Sequence, residues 1–122
     1  MTFFEDRPGA ANVEELLARA AERKCKLLMS VVNWGEVYYS VWRAKGPGVA
    51  RKVLAEIAQL PIDLVDAGYE LTKLAAELHA DHKLPYVDGF AAALALHRKA
   101  SLATSDKDFA QVAKKIDILW ST

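Results

Sequence analysis

The sequence predicts an α/β protein, a three-layer α/β/α sandwich built around a mostly parallel sheet. Short apolar runs alternate with longer amphipathic segments, a pattern typical of strands joined by helical crossovers. The chain has 122 residues, of which 52% are hydrophobic and 26% charged. Because this composition supplies enough apolar surface for one buried core, we expect residues 1–122 to form a single domain.

The first half of the chain is expected to contribute three helices and two strands. Residues 1–9 are predicted to form a helix or turn that ends in Asp-Arg-Pro-Gly, a turn signal. The elements expected after it are a helix over residues 13–21, a buried strand over 26–32, a helix over 33–44, a second helix over 49–60, and a strand over 62–65. Gly46-Pro47-Gly48 separates the last two helices.

The second half repeats the alternation of helices and strands. Asp66 is predicted to cap a helix that runs to about residue 83. An alanine-rich helix over residues 88–99 follows, with side chains small enough for close packing. The remaining predicted elements are a strand over 101–104, a short helix over 108–115, and a last strand over 116–120.

Composition limits the classes of function. Sixteen basic and 16 acidic residues give a formal net charge of zero, which argues against a protein that binds nucleic acid through overall positive charge. A nuclease is not excluded, because a bound cation adds positive charge. One cysteine excludes an intramolecular disulfide and a cysteine-based zinc cluster. No signal-peptide pattern or membrane-length apolar run is found, so we expect a cytoplasmic protein without membrane contact.

Three acidic residues are predicted to lie at one edge of the sheet. Glu36 comes just after the first buried strand, Asp88 opens the alanine-rich helix, and Asp106 directly follows the strand over residues 101–104. Ligands of open parallel sheets bind at the carboxyl ends of the strands, so these side chains are expected to meet there. Clustered carboxylates need a counter-charge, and Mg²⁺ or Mn²⁺ prefers oxygen ligands and activates water for attack on phosphate esters.

Each of these acids also has a purely structural interpretation. Asn33 and Glu36 fit a capping box, with Asn33 as the cap. Asp88 complements the dipole at a helix N-terminus. Ser105 and Asp108 fit a second capping box. The functional interpretation therefore depends on all three acids reaching one edge of the sheet.

Four stretches of the chain resemble the PIN-domain ribonucleases, especially the VapC-type toxins of toxin–antitoxin pairs. They are Phe-Phe-Glu-Asp-Arg-Pro-Gly-Ala, Ser30-Val-Val-Asn-Trp-Gly-Glu36-Val, Leu84-Pro-Tyr-Val-Asp88-Gly-Phe-Ala-Ala-Ala, and Leu102-Ala-Thr-Ser-Asp106-Lys-Asp-Phe109. Their order and spacing agree with the family over essentially the whole chain, and the last two are the more specific. The resemblance implies an endoribonuclease that hydrolyses RNA.

The resemblance also implies roles for individual residues. Glu36, Asp88 and Asp106 correspond to three of the acidic ligands of the family, which bind Mg²⁺ or Mn²⁺. Thr104 corresponds to a small hydroxyl residue that often lines the site. Two further residues are candidates for supporting the ligands, namely Asn33 and Ser30, and Asp108 is interpreted first as a structural residue of the trailing Asp-Phe element.

The same resemblance implies partners, and it reveals one departure. A homodimer and a cognate antitoxin protein are expected, with the antitoxin laying a helix into an apolar groove. The family normally begins with a strand that carries an aspartate, about ten residues before the Pro-Gly turn. This first strand is expected to be missing here, so that the chain is truncated at its N-terminus relative to the family.

Two other functions are compatible with parts of the pattern. The first is a catalytically silent PIN-like protein that acts as an antitoxin-binding or dimeric interaction module, which the absent first aspartate favours. The second is a phospho-accepting receiver domain, which shares the alternating architecture. A receiver needs a phosphorylatable aspartate with acidic neighbours early in the chain, and this sequence lacks that arrangement.

Overall fold

The computed structural model describes residues 3–5, 13–23, 26–104 and 106–120. The described strands are β1 (Phe3–Glu5), β2 (Leu27–Ser30), β3 (Ile62–Val65), β4 (Ser101–Thr104) and β5 (Ile118–Trp120). The described helices are α1 (Val13–Ala21), α2 (Val31–Lys45), α3 (Pro47–Ala58), α4 (Tyr69–Asp81), α5 (Tyr86–Arg98) and a 3₁₀ helix (Lys107–Val112).

The strands form one sheet in the order β3-β2-β1-β4-β5. The pairs β2–β3 and β4–β5 are parallel, whereas β1 is antiparallel to both of its neighbours. Four of the five strands therefore run in the same direction, and the predicted α/β fold with a mostly parallel sheet is confirmed. As a consequence, β2 and β4 end at the same edge of the sheet.

The central strand corrects the expectation for the start of the chain. Residues 3–5 form β1 rather than part of a helix or turn, and they fill the place between β2 and β4. Phe4 pairs with Leu28 on one side and with Leu102 on the other. This pairing gives hydrogen-bond partners to backbone groups in the middle of the sheet. The local sequence does not predict it, because the partners are distant in the chain. The predicted turn over residues 6–9 lies outside the described residues.

Apolar side chains cover both faces of the sheet, as the period of two in a strand requires. Leu28 and Leu102 belong to the larger core, which α4, α5 and the 3₁₀ helix complete on one face. Leu27, Met29 and Ala103 belong to a smaller core on the other face, with α1 and the start of α2 against it. The sheet is therefore the middle layer of a three-layer sandwich.

Helix α5 is the most deeply buried helix of the described residues. Seven consecutive residues, Gly89 to Ala95, are buried, and the helix packs closely on α4. The small side chains explain this approach: a Cβ added at Gly89 would lie 2.8 Å from the carbonyl oxygen of Ala75. The predicted close packing of the alanine-rich helix is thus present, and the helix begins at Tyr86, two residues before the predicted start.

Two predicted helix caps are wrong. Helix α2 begins at Val31, and its cap is Ser30, whose Oγ accepts a hydrogen bond from the backbone N–H of Val32 at 3.2 Å. Asn33 lies inside the helix instead of capping it. Helix α4 begins at Tyr69 with Gly68 at the cap position and no side-chain cap, so Asp66 does not cap it.

The remaining helices differ from the prediction mainly at their ends. Gly46 joins α2 to α3 with a φ of +90°, a backbone conformation that residues other than glycine rarely adopt. The predicted helix over residues 108–115 is a 3₁₀ helix, in which Phe109 and Val112 are buried one turn apart. Among the described residues, no helix is both long enough and apolar enough to cross a membrane.

Candidate metal centre

A cleft of about 820 Å³ opens at the edge of the sheet where β2 and β4 end. Its walls come from α2, α3, the start of α5 and the segment after β4. The polar residues that line it are Asn33, Glu36, Ser40, Glu56, Asp88, Thr104, Asp106 and Asp108. The apolar residues that line it are Met29, Val37, Val41, Val53, Ile57, Leu60 and Pro85. The cleft is therefore acidic at one end and apolar between α2 and α3.

Three aspartates form a tight cluster in this cleft. Each of Asp88, Asp106 and Asp108 places one carboxylate oxygen within 4.8 Å of those of the other two. Asp88 lies in the first turn of α5, and the other two lie at the start of the 3₁₀ helix that follows β4. The fold thus brings Asp88 together with two side chains that follow it by 18 and 20 residues in the sequence.

Hydrogen bonds within the segment after β4 hold two members of the cluster. The backbone N–H of Asp106 donates to Thr104 Oγ1 at 3.0 Å, and that of Asp108 donates to Asp106 Oδ1 at 2.9 Å. Asp106 is therefore the cap of the 3₁₀ helix. The predicted capping box is wrong about its cap, and Ser105 itself lies outside the described residues. Thr104 is buried and lines the cleft, as expected for the hydroxyl position.

Burial and negative charge both act on Asp88. Burial, followed in order of effect by the charges of Asp106, Glu36 and Asp108, raises the pKa of its carboxyl from 3.8 to about 6. Each cause disfavours the ionised form, the first by removing water and the others by repulsion. An ionised Asp88 in this cleft therefore calls for a nearby cation, and perturbed carboxyl groups of this kind are frequent at functional sites.

Glu36 lies in the cleft but outside the cluster of three. It is on α2, five residues after the first residue of the helix, and its charge reaches Asp88. Because Ser30 caps α2, the capping-box interpretation of Glu36 is wrong. All three predicted acids line the cleft, whereas the tight cluster with Asp88 and Asp106 is completed by Asp108, first interpreted as structural, and not by Glu36.

Asn33 connects the two helices that carry Glu36 and Asp88. Its Nδ2 donates a hydrogen bond to the carbonyl oxygen of Val87 at 3.1 Å, and its side chain lines the cleft. Its Oδ1 is buried without a hydrogen-bond partner in the described part of the chain. A buried amide oxygen without a partner is unfavourable, so this atom is available to a ligand or water in the cleft. Ser30, in contrast, does not line the cleft and acts as the cap of α2.

The sequence did not predict the hydrogen bonds that hold the loop before α5, next to the acidic end of the cleft. Gln111 of the 3₁₀ helix accepts from the backbone N–H of Lys83 at 2.9 Å and donates to its carbonyl oxygen at 3.1 Å. His79 Nδ1 donates to the carbonyl oxygen of Leu84 at 2.6 Å. Both tie down the loop before α5, and a surface glutamine or histidine gives no sequence signal for such a role.

Two more cleft residues were missed, namely Ser40 and Glu56. Both lie on helices that the sequence marked only by their apolar positions, so nothing in the pattern distinguished them. Glu56 lines the cleft from α3. Its carboxylate increases the negative charge around the apolar part of the cleft.

The donors gathered here fit a hard divalent cation. They are the three clustered carboxylates, the nearby Glu36 carboxylate and the free Asn33 Oδ1, all of them oxygen atoms. Mg²⁺ and Mn²⁺ prefer such oxygen ligands. A divalent ion would also offset the repulsion that raises the pKa of Asp88.

Comparison with protein families identifies the fold. Residues 1–115 match the PIN domain family, whose fold is generally that of a nuclease and whose members usually depend on a metal. Comparisons with curated proteins and with solved structures give no match. The match extends over most of the 122 residues and agrees with the sandwich and the acidic edge described above. The chain therefore belongs to the PIN domain family.

Proposed function

We propose that this protein is a Mg²⁺- or Mn²⁺-dependent endoribonuclease, the VapC-type toxin of a type II toxin–antitoxin system. The observation that supports it best is the cluster of Asp88, Asp106 and Asp108 at the carboxyl edge of the sheet in a PIN domain. Hydrolysis of a phosphodiester needs positive charge at the reacting group, and this cluster is arranged to hold it.

Asp88 and Asp106 are proposed as the central metal ligands, with Glu36 as a third acid of the site. Their closeness supports adding Asp108, whose carboxylate lies within 4.8 Å of both aspartates. Asp88 is the residue on which the others converge electrostatically, since its pKa responds to all three. Its replacement should therefore have the largest effect on metal binding.

The chain's own groups prepare the site for chemistry. A bound divalent ion would supply Lewis acidity toward a phosphodiester oxygen and lower the pKa of water. Thr104 fixes the backbone of Asp106, and Asp106 in turn fixes that of Asp108. Asn33 Oδ1 is free to accept a hydrogen bond from water or from a ribose hydroxyl in the cleft. Asp88 must be ionised to act as a ligand, so metal binding releases its proton when the pH lies below about 6.

The apolar end of the cleft supports an antitoxin partner. This end is lined by Val37 and Val41 of α2, by Val53 and Ile57 of α3, and by Leu60. An amphipathic helix binds a groove of this kind through apolar residues on one face. We propose that the antitoxin inserts here, next to the acidic end, and thereby blocks access to the acids. The homodimer, the cytoplasmic location and the single-domain organisation of residues 1–122 stay predictions.

Asp88→Asn tests the proposal with little change in shape. RNA cleavage should be measured with Mn²⁺ and with a chelator, and Mn²⁺ binding by calorimetry. Asp88→Asn should reduce metal-dependent cleavage more than about 100-fold, beyond the 10–100-fold loss that supporting residues usually give. Glu70→Gln is the matched control, because Glu70 is an exposed acid in the first turn of α4.

The outcomes separate the two leading functions. Cleavage by Asp88→Asn at the wild-type rate would refute the assignment of the site. Absence of cleavage by the wild type, together with failure to bind Mn²⁺, would support the alternative, a catalytically silent interaction module. Asp108→Asn discriminates within the site: a loss of Mn²⁺ affinity supports a ligand role, whereas unchanged affinity supports the structural role first assigned to it.

A further inference from the structure

Helices α2 and α3 carry an exposed basic–aromatic surface, which we define as Tyr39, Trp42, Arg43 and Arg51. Tyr39 is 47% exposed and Trp42 is 41% exposed. The guanidinium of Arg43 lies 5.4 Å from the centre of the Tyr39 ring, and that of Arg51 lies 5.3 Å from the centre of the Trp42 ring. Two exposed aromatic rings on neighbouring turns of one helix, each with an arginine against it, indicate a binding surface.

The surface is positive although the chain as a whole is neutral. Between residues 37 and 55 the sequence has four basic residues and no acidic one. These are Arg43, Lys45, Arg51 and Lys52, and all four are exposed. The formal net charge of the whole chain is zero. Basic charge is therefore concentrated on the end of α2 and the start of α3. Such a positive surface complements a polyanion.

One half of the surface, formed by Tyr39 and Arg43, lies next to the wall of the acidic cleft. Glu36 and Ser40 line the cleft on α2, and Tyr39 and Arg43 follow Glu36 at three and seven positions along the same helix. Residues three, four and seven apart lie on one side of an α-helix. Seven residues span about 10 Å of helix axis. A strand that left the acidic end of the cleft along α2 would therefore reach Tyr39 and Arg43 within about 10 Å.

We infer that this surface binds the single-stranded RNA next to the cleavage position, stacking unpaired bases on Tyr39 and Trp42 and holding phosphates at Arg43 and Arg51. The inference rests on the proposed nuclease function and adds the surface that would hold the strand outside the acidic cluster. Bases stack on exposed aromatic rings when they are unpaired, and a positive groove follows the backbone. Each arginine also orders its ring before RNA arrives, which reduces the entropy lost on binding.

Protein partners also use tryptophan, tyrosine and arginine, but they favour a different setting. The core of a protein interface is depleted of charged residues. This surface places one arginine against each of two rings, and the sequence from residue 37 to 55 has no acidic residue. Single-stranded RNA supplies both the bases and the phosphates that such a surface needs, so RNA is the occupant that the charge and the rings favour together.

Binding without cleavage tests the inference separately from the nuclease. A fluorescently labelled single-stranded oligoribonucleotide of mixed sequence is titrated with the full chain in a chelator, and anisotropy is measured at several salt concentrations. Tyr39→Ala and Trp42→Ala should each weaken binding at least about fivefold, the effect of losing one stacked base. Arg43→Gln should weaken binding and reduce the slope of log affinity against log salt by about 0.7, the value for one phosphate contact of a single strand.

Matched variants keep the outcome specific. Arg98→Gln removes the same charge from the far end of α5 and Tyr69→Ala removes a 79% exposed ring from α4, so both should leave RNA affinity unchanged. A duplex RNA of the same sequence should bind more weakly than the single strand. Wild-type affinity in Tyr39→Ala and Arg43→Gln would overturn the inference. Unchanged RNA binding with loss of a dimer in light scattering would instead assign the surface to a second copy of the chain.

Because no metal is present, the result does not depend on catalysis. If Asp88→Asn cleaves normally but the surface variants lose RNA affinity, the proposed ligands are wrong and the RNA surface stands. If Asp88→Asn loses cleavage and the surface variants bind normally, the nuclease stands and the inference about this surface fails.

Discussion

Helices α2 and α5 each carry an acid that lines the cleft, but α2 is loosely packed around its acid and α5 is tightly packed. On α2, Gly35 precedes Glu36 on a helix whose only buried residue is Asn33. On α5, Gly89 follows Asp88 and lies against the backbone of Ala75. A Cβ added at Gly35 would meet no atom within 4 Å, whereas one at Gly89 would lie 2.8 Å from a carbonyl oxygen. The same residue type thus marks open space beside one acid and tight packing beside the other.

This difference teaches how the site combines rigidity with access. Asp88 is set by a buried helix that cannot shift without moving α4, so its half-buried carboxyl has a fixed position and a raised pKa. Glu36 is on a helix whose outer surface is exposed, so it can adjust to a substrate or ion. We expect substitutions on α5 to lower stability and those on α2 to affect binding more than stability.

Leu94→Ala should have the largest effect on stability. Leu94 is fully buried in α5, so its truncation removes apolar contacts and leaves a cavity. We expect the free energy of unfolding to fall by about 2–5 kcal/mol in chemical denaturation. Val49→Ala is the control on α3, where the side chain is 41% exposed, and it should change stability by less than about 0.5 kcal/mol. Similar losses in both variants would contradict the interpretation that burial in α5 makes Leu94 more important for stability than an exposed side chain.

Gly89→Ala should lower stability by a smaller amount. The added methyl group would meet the Ala75 carbonyl oxygen, so α4 and α5 must separate slightly. Overpacking of this kind lowers the free energy of unfolding by about 1–3 kcal/mol. Metal affinity should fall as well, because Asp88 is the adjacent residue. A variant as stable as the wild type would show that the two helices separate easily.

Gly35→Ala should have the opposite sign. The position is inside α2 with room for a methyl group, so alanine adds helix preference without a clash. We expect the free energy of unfolding to rise by about 0.5–1 kcal/mol, measured by the same denaturation. Paired with Gly89→Ala, it is the most direct test of the comparison, because an identical change is made beside each acid. Destabilisation at both positions would contradict the comparison between loosely packed α2 and tightly packed α5.

Asp88→Asn should give the smallest change, visible as a dependence on pH. The folded protein holds the Asp88 proton more tightly, so its contribution to stability is full below pH 3.8 and is lost as the pH rises through about 6. In a chelator, the variant should therefore be more stable than the wild type at neutral pH and equal to it in acid. Because the carboxyl is only half-buried, we expect a difference below about 1 kcal/mol.

Adding Mn²⁺ gives the control for this last prediction. A ligand that binds only the folded state stabilises it. The wild type should then gain stability at neutral pH, and Asp88→Asn should gain little. Equal stabilisation of both proteins by Mn²⁺ would place the ion elsewhere.

Much of the fold could be predicted from local pattern. The strands Ile62–Val65 and Ser101–Thr104 have the predicted bounds, because short apolar runs between helices rarely adopt another structure. The strand Phe3–Glu5 could not be predicted, since its partners are β2 and β4, which follow much later in the chain. Its antiparallel direction likewise depends on the assembled sheet rather than on its own three residues.

The candidate site likewise has some residues that could be predicted from the sequence and others that could not. Glu36, Asp88 and Asp106 could be placed at one edge because each follows a strand or opens a helix. Asp108 required the 3₁₀ turn that brings it close to Asp106, whereas the sequence predicted only a short helix over residues 108–115. Gln111 and His79 act through hydrogen bonds to backbone groups, and no pattern of residue types reports such contacts.

The junction between β2 and α2 has a consequence for how this chain can change over evolution. The strand ends at Ser30 and the helix begins at Val31, so no loop separates them. Each residue turns an α-helix by about 100°, so inserting or deleting one residue here would rotate Glu36, Ser40 and Tyr39 together away from their present places. Substitutions in this stretch can be absorbed one at a time. A change in length cannot, and we expect relatives of this protein to keep the spacing from Ser30 to Glu36 free of gaps.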